Sequence, residues 1–327
     1  MSIKQFSGAD VIPHLKAALS YRESLRLNSN ALRLVNSRGD GLDGLIIDRF
    51  NKHFVVYFLN NFWHRHKREI FDFLCERFSI EYLVLKDRTF LDKPSATQIA
   101  VEVLLSRGDS KTTVEENGLL FNVDLNDHLN QGLFLDMRKN RKLLASYAQG
   151  KAVLNCFAYT CSFGAYCRKS GASRVTNVDI SLKFLKKGKE NYQLNRLHIG
   201  RSEFVCADTA QYITGAVKRN NFFDIIILDP PSFSRYKGKV FSVKKDMPGM
   251  IEKALGALND FGILFVSTNL SSIFRRQMEE WTYAAARRAI RKIIEIEPLG
   301  QDTDFRGSGL MKESFLSALL IKTKKSV

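Results

Sequence analysis

Three aspartates stand where an apolar run ends and a helical stretch begins: Asp179 after RVTNV, Asp208 after SEFVCA and Asp229 after FDIIIL. In a doubly wound sheet, residues at the carboxyl ends of strands border the crevice where ligands bind. A carboxylate at the second such end, Asp179, can accept hydrogen bonds from both hydroxyls of a ribose. The third, Asp208, is placed to meet an adenine amino group. Asp179 and Asp208 read equally as N-caps of the helices that follow, and Asp229 as the start of a tight turn. Their recurrence in successive units favours a nucleotide site. Asp229 opens the run Asp229-Pro230-Pro231-Ser232-Phe233, in which paired prolines fix the backbone and an aromatic is available to stack on a base. The alternative for Phe233 is a place in the core. The first apolar run leads into a loop, Asn155 to Gly164, that turns into a helix against the same crevice. It is poor in glycine, and no GxGxxG, P-loop or Ser-His-Asp pattern competes with the aspartates. Six histidines without HExxH spacing argue against metal catalysis.

The elements that must hold these residues follow from the hydrophobic periodicity. From Lys151 onward, AVLNCF, RVTNVD, SEFVCAD, FDIIILD and GILFVST alternate with helical stretches, and RKIIEIE and SFLSALLIK add two more strands. Continuous apolar strands between helices imply a parallel sheet covered on both faces. Seven strands, ending in a pair joined by a loop too short for a crossover helix, make an α/β Rossmann-like fold. Before it, ALRLV, LIID, FVVYFL, EYLVLKD and QIAVEVLL, with one helix around Trp63 to Phe78, indicate a smaller α+β domain. Asn117-Gly118 marks a hairpin, and Leu133 to Ala148 a connecting helix. The expected division is a basic amphipathic helix in residues 1–30, the small domain in 31–110, hairpin and connecting helix in 111–150, and the large domain in 151–327.

Composition limits the partners. With 327 residues and 45% hydrophobic content the chain can build a sizeable core. Its start lacks an apolar secretory core, and no apolar run approaches the ~20 residues a membrane helix needs. A soluble, cytoplasmic protein is expected. Five cysteines, an odd number without a CxxC pair, fit reduced thiols in a reducing compartment. A formal charge of +16 points to a polyanion, with nucleic acid first among them.

On these residues the chain, from about Ala31 to its end, resembles the bacterial 23S ribosomal RNA large-subunit methyltransferases, a family that includes the I-type cytosine-5 and K-type guanine-N7 enzymes. The marks are ALRLVNSRGDGLDGLIIDRF, LNDHLNQGLFLDMRKNR, LNCFAYTCSFGAYC, NVDIS with QLNRL after it, and ILDPPSFSR. The resemblance implies a class I fold that binds S-adenosylmethionine. It also implies that Phe134, Asp136 and Arg138 frame the methionine end of that cofactor. Asn155, Phe157, Tyr159, Thr160, Cys161, Ser162, Phe163 and Gly164 would line it, Asp179 with Ile180 would hold the ribose, and Asp208 with Thr209 the adenine. Asp229, Pro230, Pro231 and Phe233 would meet the reacting base. Two departures stand out: the thirty residues before Ala31 are too few for the amino-terminal PUA module of many relatives, and Cys161 replaces a usual glycine.

The target atom is read from the cysteines. Cytosine C5 is a poor nucleophile and needs a cysteine thiolate added at C6, carried in the I-type relatives just after the fifth strand. Here that segment is FVSTNLS, without cysteine. Guanine N7 has a free lone pair and no proton to lose, so direct transfer to it is the expected reaction. Cytosine C5 and an exocyclic amine remain the alternatives. Arg235, Tyr236, Lys237, Lys239, Lys244 and Lys245, with Phe241 among them, follow DPPSF as a basic, aromatic segment suited to RNA. A solvated loop is the other reading. Lys4, Lys16, Arg22 and Arg26 of the amino-terminal helix are further candidates. A non-catalytic RNA-binding assembly factor is the competing function; Cys161 motivates it, whereas Asp179, Asp208 and DPP oppose it.

Overall fold

The computed structural model describes residues 11–89, 100–127, 130–236, 239–307 and 316–326. The chain divides into two compact units. One runs to Arg138 and takes in the segment beginning at Asp302; the other spans Lys139–Gln301 and closes with the carboxyl-terminal strand.

In the first unit, α1 (Val11–Ser24) precedes β1 (Ala31–Asn36), β2 (Leu45–Phe50) and β3 (His53–Phe58). A 3-10 turn, Asn61–His66, then leads into α2 (Lys67–Arg77), β4 (Tyr82–Asp87) and β5 (Ala100–Ser106). The five strands lie in sequence order, and only β3 and β4 run parallel, the one pair that needs the crossover α2 supplies. Alternation sends Leu45, Ile47, Phe54, Val56, Phe58, Leu83 and Leu85 to one face, against Val11, Leu15 and Leu19 of α1 and Ile70, Phe73 and Leu74 of α2. The amino-terminal helix is therefore part of a core, not a free basic arm, because Val11, Leu15, Ala18 and Leu19 recur at helical spacing. Arg22 is buried with it: its guanidinium grips the Asp40 carboxylate and donates to the Asp304 carbonyl at 2.7 Å. Lys16 and Arg26 stay exposed, and Lys4 lies outside the described residues. β6 (Lys111–Glu116) and β7 (Leu119–Asp124) form the expected hairpin. Asn117 and Gly118 turn it with φ of 51° and 78°, both in the left-handed region.

The second unit opens within α3 (Arg138–Ser146), at Lys139, and continues β8 (Ala152–Cys156), α4 (Ser162–Lys169), β9 (Arg174–Asp179), α5 (Leu182–Leu194), β10 (Phe204–Cys206), α6 (Thr209–Lys218) and β11 (Phe223–Leu228). Then come β12 (Phe233–Tyr236), β13 (Lys239–Ser242), α7 (Val243–Gly256), β14 (Leu258–Thr268), α8 (Arg275–Arg288), β15 (Arg291–Leu299) and β16 (Ser317–Lys325). The sheet order is β10-β9-β8-β11-β14-β16-β15, with β16 antiparallel to both neighbours. Strand order reverses between β8 and β11, so the crevice for a ligand lies beyond their carboxyl ends.

Three expectations are corrected. Residues 300–316, between β15 and β16, are not a short loop: Asp302 and Asp304 accept from Arg138 at 2.8 Å and 2.6 Å within the first unit. Residues 111–138 belong to that unit, and 139–150 to the second. The segment after DPPS is a two-stranded hairpin, pairing Phe233 with Ser242 through Tyr236 with Lys239, rather than a loop.

Candidate active site

The loop from β8 to α4 carries backbone strain. Phe157, Tyr159 and Cys161 adopt φ of 54°, 49° and 60°, a left-handed conformation that costs a residue with a Cβ about 1–2 kcal/mol. Neighbours on several sides hold it there. Ala158 N donates to Val178 O at 3.0 Å and Tyr159 N to Asp179 Oδ2 at 2.9 Å. Asn191 Nδ2 reaches Thr160 O at 3.1 Å, and the Tyr159 ring meets Phe184 edge-on. Such over-determined strain is the mark of a pre-organised site.

Asp179 is the hub of this arrangement. Besides Tyr159 N, it accepts from Ser181 N at 2.8 Å, while Ser181 caps α5 through Phe184 N. Asp179 is thus not the N-cap. Burial pushes its pKa above the ordinary aspartate value, opposed by the N–H groups of Ser181, Tyr159 and Ile180. Each carboxylate oxygen keeps a second lone pair for a ligand. Asp208 has a cap's geometry and a place at the cleft. It caps α6 by accepting from Gln211 N at 2.9 Å, and it borders a cleft of about 690 Å³ with Phe157, Ile180, Thr209, Phe241 and Lys245.

The structure separates the expected lining residues into two groups. Phe157, Ile180, Asp208 and Thr209 meet at the cleft. Asn155 lies beneath the loop, its amide donating to Asn177 Oδ1 at 2.8 Å, and Asn177 donates in turn to Tyr192 Oη at 3.1 Å. A methyl on Gly164 would stand 2.1 Å from Asn177 Oδ1, so glycine lets α4 seat directly on β9. Phe163 packs against Phe265 with centroids 5.5 Å apart; Thr160 and Cys161 are buried, and Ser162 is half-buried. Gly188 of α5 faces Cys161: a methyl there would lie 2.4 Å from Cys161 Sγ.

At the exit of β11, Asp229 accepts from Ser267 Oγ at 2.6 Å, and Ser232 Oγ donates to Asn269 Oδ1 at 2.9 Å, which ties the DPP turn to the end of β14. Pro230 is buried, whereas Pro231 and Phe233 are exposed. The sequence reading missed Ser267, Asn269 and Ser181; a serine just before a helical run is the signal available for the last. Phe241, grouped with the RNA-facing aromatics, instead packs on Phe157 at 5.4 Å. Lys244 and Lys245 are exposed at the start of α7. Lys237 and the side chains of Arg235, Tyr236 and Lys239 lie outside the described residues.

Phe134, Asp136 and Arg138 belong to the first unit. Phe134 is partly exposed before a 3-10 turn that carries Asp136, while Arg138 is buried and bound to Asp302 and Asp304. Its guanidinium anchors the returning segment. Among the described residues, no helix is long and apolar enough to cross a membrane, and no three His, Cys, Asp or Glu side chains group as metal ligands.

All five cysteines are free. Burial pushes the thiols of Cys156 and Cys161 up and that of Cys167 up to about 12, so none of these is a ready thiolate. Cys75 belongs to the first unit, and Cys206 is exposed at the end of β10.

A family model described as S-adenosylmethionine-dependent methyltransferase matches residues 81–304. The chain is 32% identical over 311 residues, 93% of its length and 77% of the relative's, to the ribosomal RNA large subunit methyltransferase I of Photobacterium profundum. It is 38% identical over 167 residues, half of this chain and 23% of the relative, to the ribosomal RNA large subunit methyltransferase K/L of Colwellia psychrerythraea. A putative methyltransferase crystallised with SAH superposes with a TM-score of 0.86 at 27% identity, covering 98% of this chain and 83% of that one. The family model spans more than half of the chain and the Photobacterium profundum relative is matched over most of its length, so the chain belongs to the S-adenosylmethionine-dependent methyltransferase family, in the branch of the ribosomal RNA large-subunit methyltransferases.

Proposed function

We propose that this enzyme methylates ribosomal RNA of the large subunit, at guanine N7, by direct transfer without a covalent enzyme–RNA intermediate. The names of the relatives and the charge of +16 support RNA. The observation that carries the choice of atom is the composition of the two strand exits nearest the DPP turn: Asp229 with Ser267, and Ser232 with Asn269, with no cysteine in either segment. Elsewhere the thiols of Cys156, Cys161 and Cys167 are buried, and exposed Cys206 ends the edge strand β10, separated from β11 by β9 and β8, which argues against a substitute nucleophile for addition at cytosine C6.

The cleft suits the cofactor. Asp208 offers a carboxylate oxygen to an adenine amine, Phe157 and Ile180 offer apolar flanks, and Asp179 offers acceptors for ribose hydroxyls. Bound S-adenosylmethionine supplies an electrophilic methyl group on a sulfonium. The chain's part is positional. Ser267 orients the Asp229 carboxylate, the paired prolines stiffen the turn, and exposed Phe233 presents a face on which a base can stack. N7 keeps its lone pair and loses no proton, so no general base is required. Alignment and desolvation can supply much of the barrier reduction, about 7–11 kcal/mol being available from proximity and orientation.

Cytosine C5 is the second reading, favoured by the match to an I-type relative over most of the chain. RNA substituted with 5-fluorocytosine distinguishes the two, because a thiolate adduct at C6 is trapped on that base. No stable protein–RNA adduct is expected. Isolation of one, lost on changing a single cysteine, restores cytosine C5, and mapping modified nucleosides in ribosomal RNA from a strain lacking the gene identifies the product.

A further inference from the structure

The cleft that suits the cofactor continues beyond it. Strands β10 and β11 run in one direction within the sheet, so α6 and α7, which return from them, lie side by side with their amino-terminal ends at the crevice. Asp208, Phe157 and Ile180 border the near end, the one that suits an adenine. The same cleft is lined further on by Gly215 and Lys218 of α6 and by Gly249 and Lys253 of α7. Lys218 lies ten residues past Asp208, about 15 Å along the helix. An adenine beside Asp208 does not reach that far end.

Two properties of the far end point to a ligand, and the first is charge. Lys218, Lys245 and Lys253 line the cleft, and the Arg219 guanidinium lies over Gly215. All four cations are exposed and pair with no carboxylate among the described residues, whereas on α8 Arg275 and Arg276 each pair with a glutamate one turn on. The acids of the cleft, Asp208 and Asp246, stand at the amino-terminal ends of α6 and α7, where each accepts a backbone N–H. Positive charge at the far end is therefore uncompensated. The second property is the pair of glycines. Glycine inside a helix lowers its stability relative to alanine, and it is useful where a turn or a close approach requires it. Gly164 and Gly188 seat neighbouring residues, but a methyl on Gly249 would meet nothing within 4 Å, and the nearest group to one on Gly215 is the flexible end of Arg219. Neither glycine has a positive φ. Together they leave a smooth wall open to close approach from outside.

The groove is joined to the reacting end of the site. The β12–β13 hairpin adds Val240 and Phe241 to its wall, and Phe233 pairs with Ser242 at the base of that hairpin. Val243 N, at the start of α7, donates to Ser232 O at 3.3 Å. A strand whose base stacks on Phe233 can thus continue along α7 toward Lys253. We propose that the groove between α6 and α7 holds the phosphodiester backbone of the substrate RNA beside the target base, with Lys218, Lys245 and Lys253 on its phosphates and Gly215 and Gly249 allowing it to come close. This rests on the RNA reading above. Lysines in a last helical turn also offset the helix dipole, a role open to Lys218 and Lys253 by position. That role stabilises the fold and is indifferent to RNA.

Gly249→Glu separates the two roles. A glutamate there stands one turn from Lys245 and one turn from Lys253, at the spacing that stabilises a helix, and it sets negative charge in the groove. The variant should melt at or above the wild-type temperature and bind S-adenosylmethionine with wild-type affinity, yet lose about tenfold or more in affinity for large-subunit ribosomal RNA. In the Lys218→Gln, Lys253→Gln double variant, each lost phosphate contact should flatten log affinity against log salt by about 0.7, the single-strand value. Between about 50 and 200 mM salt the wild type should then lose about sevenfold more affinity than the double variant. A lower melting temperature with RNA affinity and slope unchanged assigns the lysines to the helix dipoles and overturns the proposal. So does a folded Gly249→Glu protein that loses cofactor affinity rather than RNA affinity, or that binds RNA as the wild type does. Wild-type protein that does not bind the RNA sinks the RNA reading, and the role of the groove with it.

Discussion

Alanine at position 188 should strain the cofactor loop from behind. The added methyl would stand 2.4 Å from Cys161 Sγ and 2.9 Å from Cys161 Cβ, where unstrained non-bonded carbons approach to about 3.5–4.0 Å. The sulfur has little room to yield, since Cys161 is fully buried, sits at φ 60° and leads directly into α4. Overpacking of this kind costs about 1–3 kcal/mol, against about 1 kcal/mol gained by replacing a mid-helix glycine. Gly188→Ala alone should thus be neutral to about 2 kcal/mol destabilising, with cofactor affinity falling because the displaced residue belongs to the loop. Cys161→Gly removes the sulfur and the cost of a left-handed cysteine, but leaves a void. In the double variant the methyl occupies that void, so the pair should be more stable than the sum of its parts by about 1–3 kcal/mol. Urea unfolding of the four proteins at constant slope, with calorimetric titration of S-adenosylmethionine, measures the coupling. Additivity within about 0.5 kcal/mol, or a Gly188→Ala protein unchanged in both assays, refutes the reasoning.

Asp179→Asn should weaken S-adenosylmethionine binding by about 1.5–3 kcal/mol, the worth of charged hydrogen bonds; an unchanged calorimetric affinity in folded protein removes Asp179 from the site. Its raised pKa sets two pH dependences. Above the unfolded value of 3.8 and up to the folded value, the native state holds a proton that the unfolded chain has released, so this group's contribution to stability falls as pH rises through that window. Cofactor affinity has the opposite sense, declining as pH drops through the folded value, and Asp179→Asn should flatten both profiles. Ser267→Ala frees the Asp229 carboxylate, so turnover on RNA should fall more than cofactor affinity; equal losses in both would assign Ser267 to the cofactor. Asp304→Ala strips buried Arg138 of a partner and should cost about 3–5 kcal/mol in urea unfolding, a loss of under 1 kcal/mol contradicting the anchoring role.

The large sheet was legible because continuous apolar strands punctuated by aspartates are a local signal, and Asn117-Gly118 announced its turn in two residues. Local patterns also suggested that DPPSF ends a strand. They could not show that Arg22 is buried, because its partner Asp304 lies 282 residues away in sequence. Nor could they show that Cys161 depends on Gly188, which is unremarkable in a helix until the sulfur is seen against it. Asp208 is the N-cap that one sequence reading made it, and it also borders the cleft, since a helix N-cap at a strand exit faces the crevice. Arg138 illustrates the converse: a residue carried over by resemblance to the cofactor has its guanidinium committed to Asp302 and Asp304.

The returning segment at Asp302–Asp304 imposes an order on synthesis. Chains leave the ribosome amino-terminus first, at about 5–20 residues per second, and domains generally fold as they emerge. Here the leading unit cannot close on emergence. Arg138 lacks the carboxylates of Asp302 and Asp304, and Arg22 one of its acceptors, until residue 304 has been made. A nascent chain halted before Asp302 would carry Arg138 without either of its ion-pair partners, and a protease should find its first unit open. Translation past that point should confer protection in one step, coupling completion of the first unit to the arrival of Asp302 and Asp304.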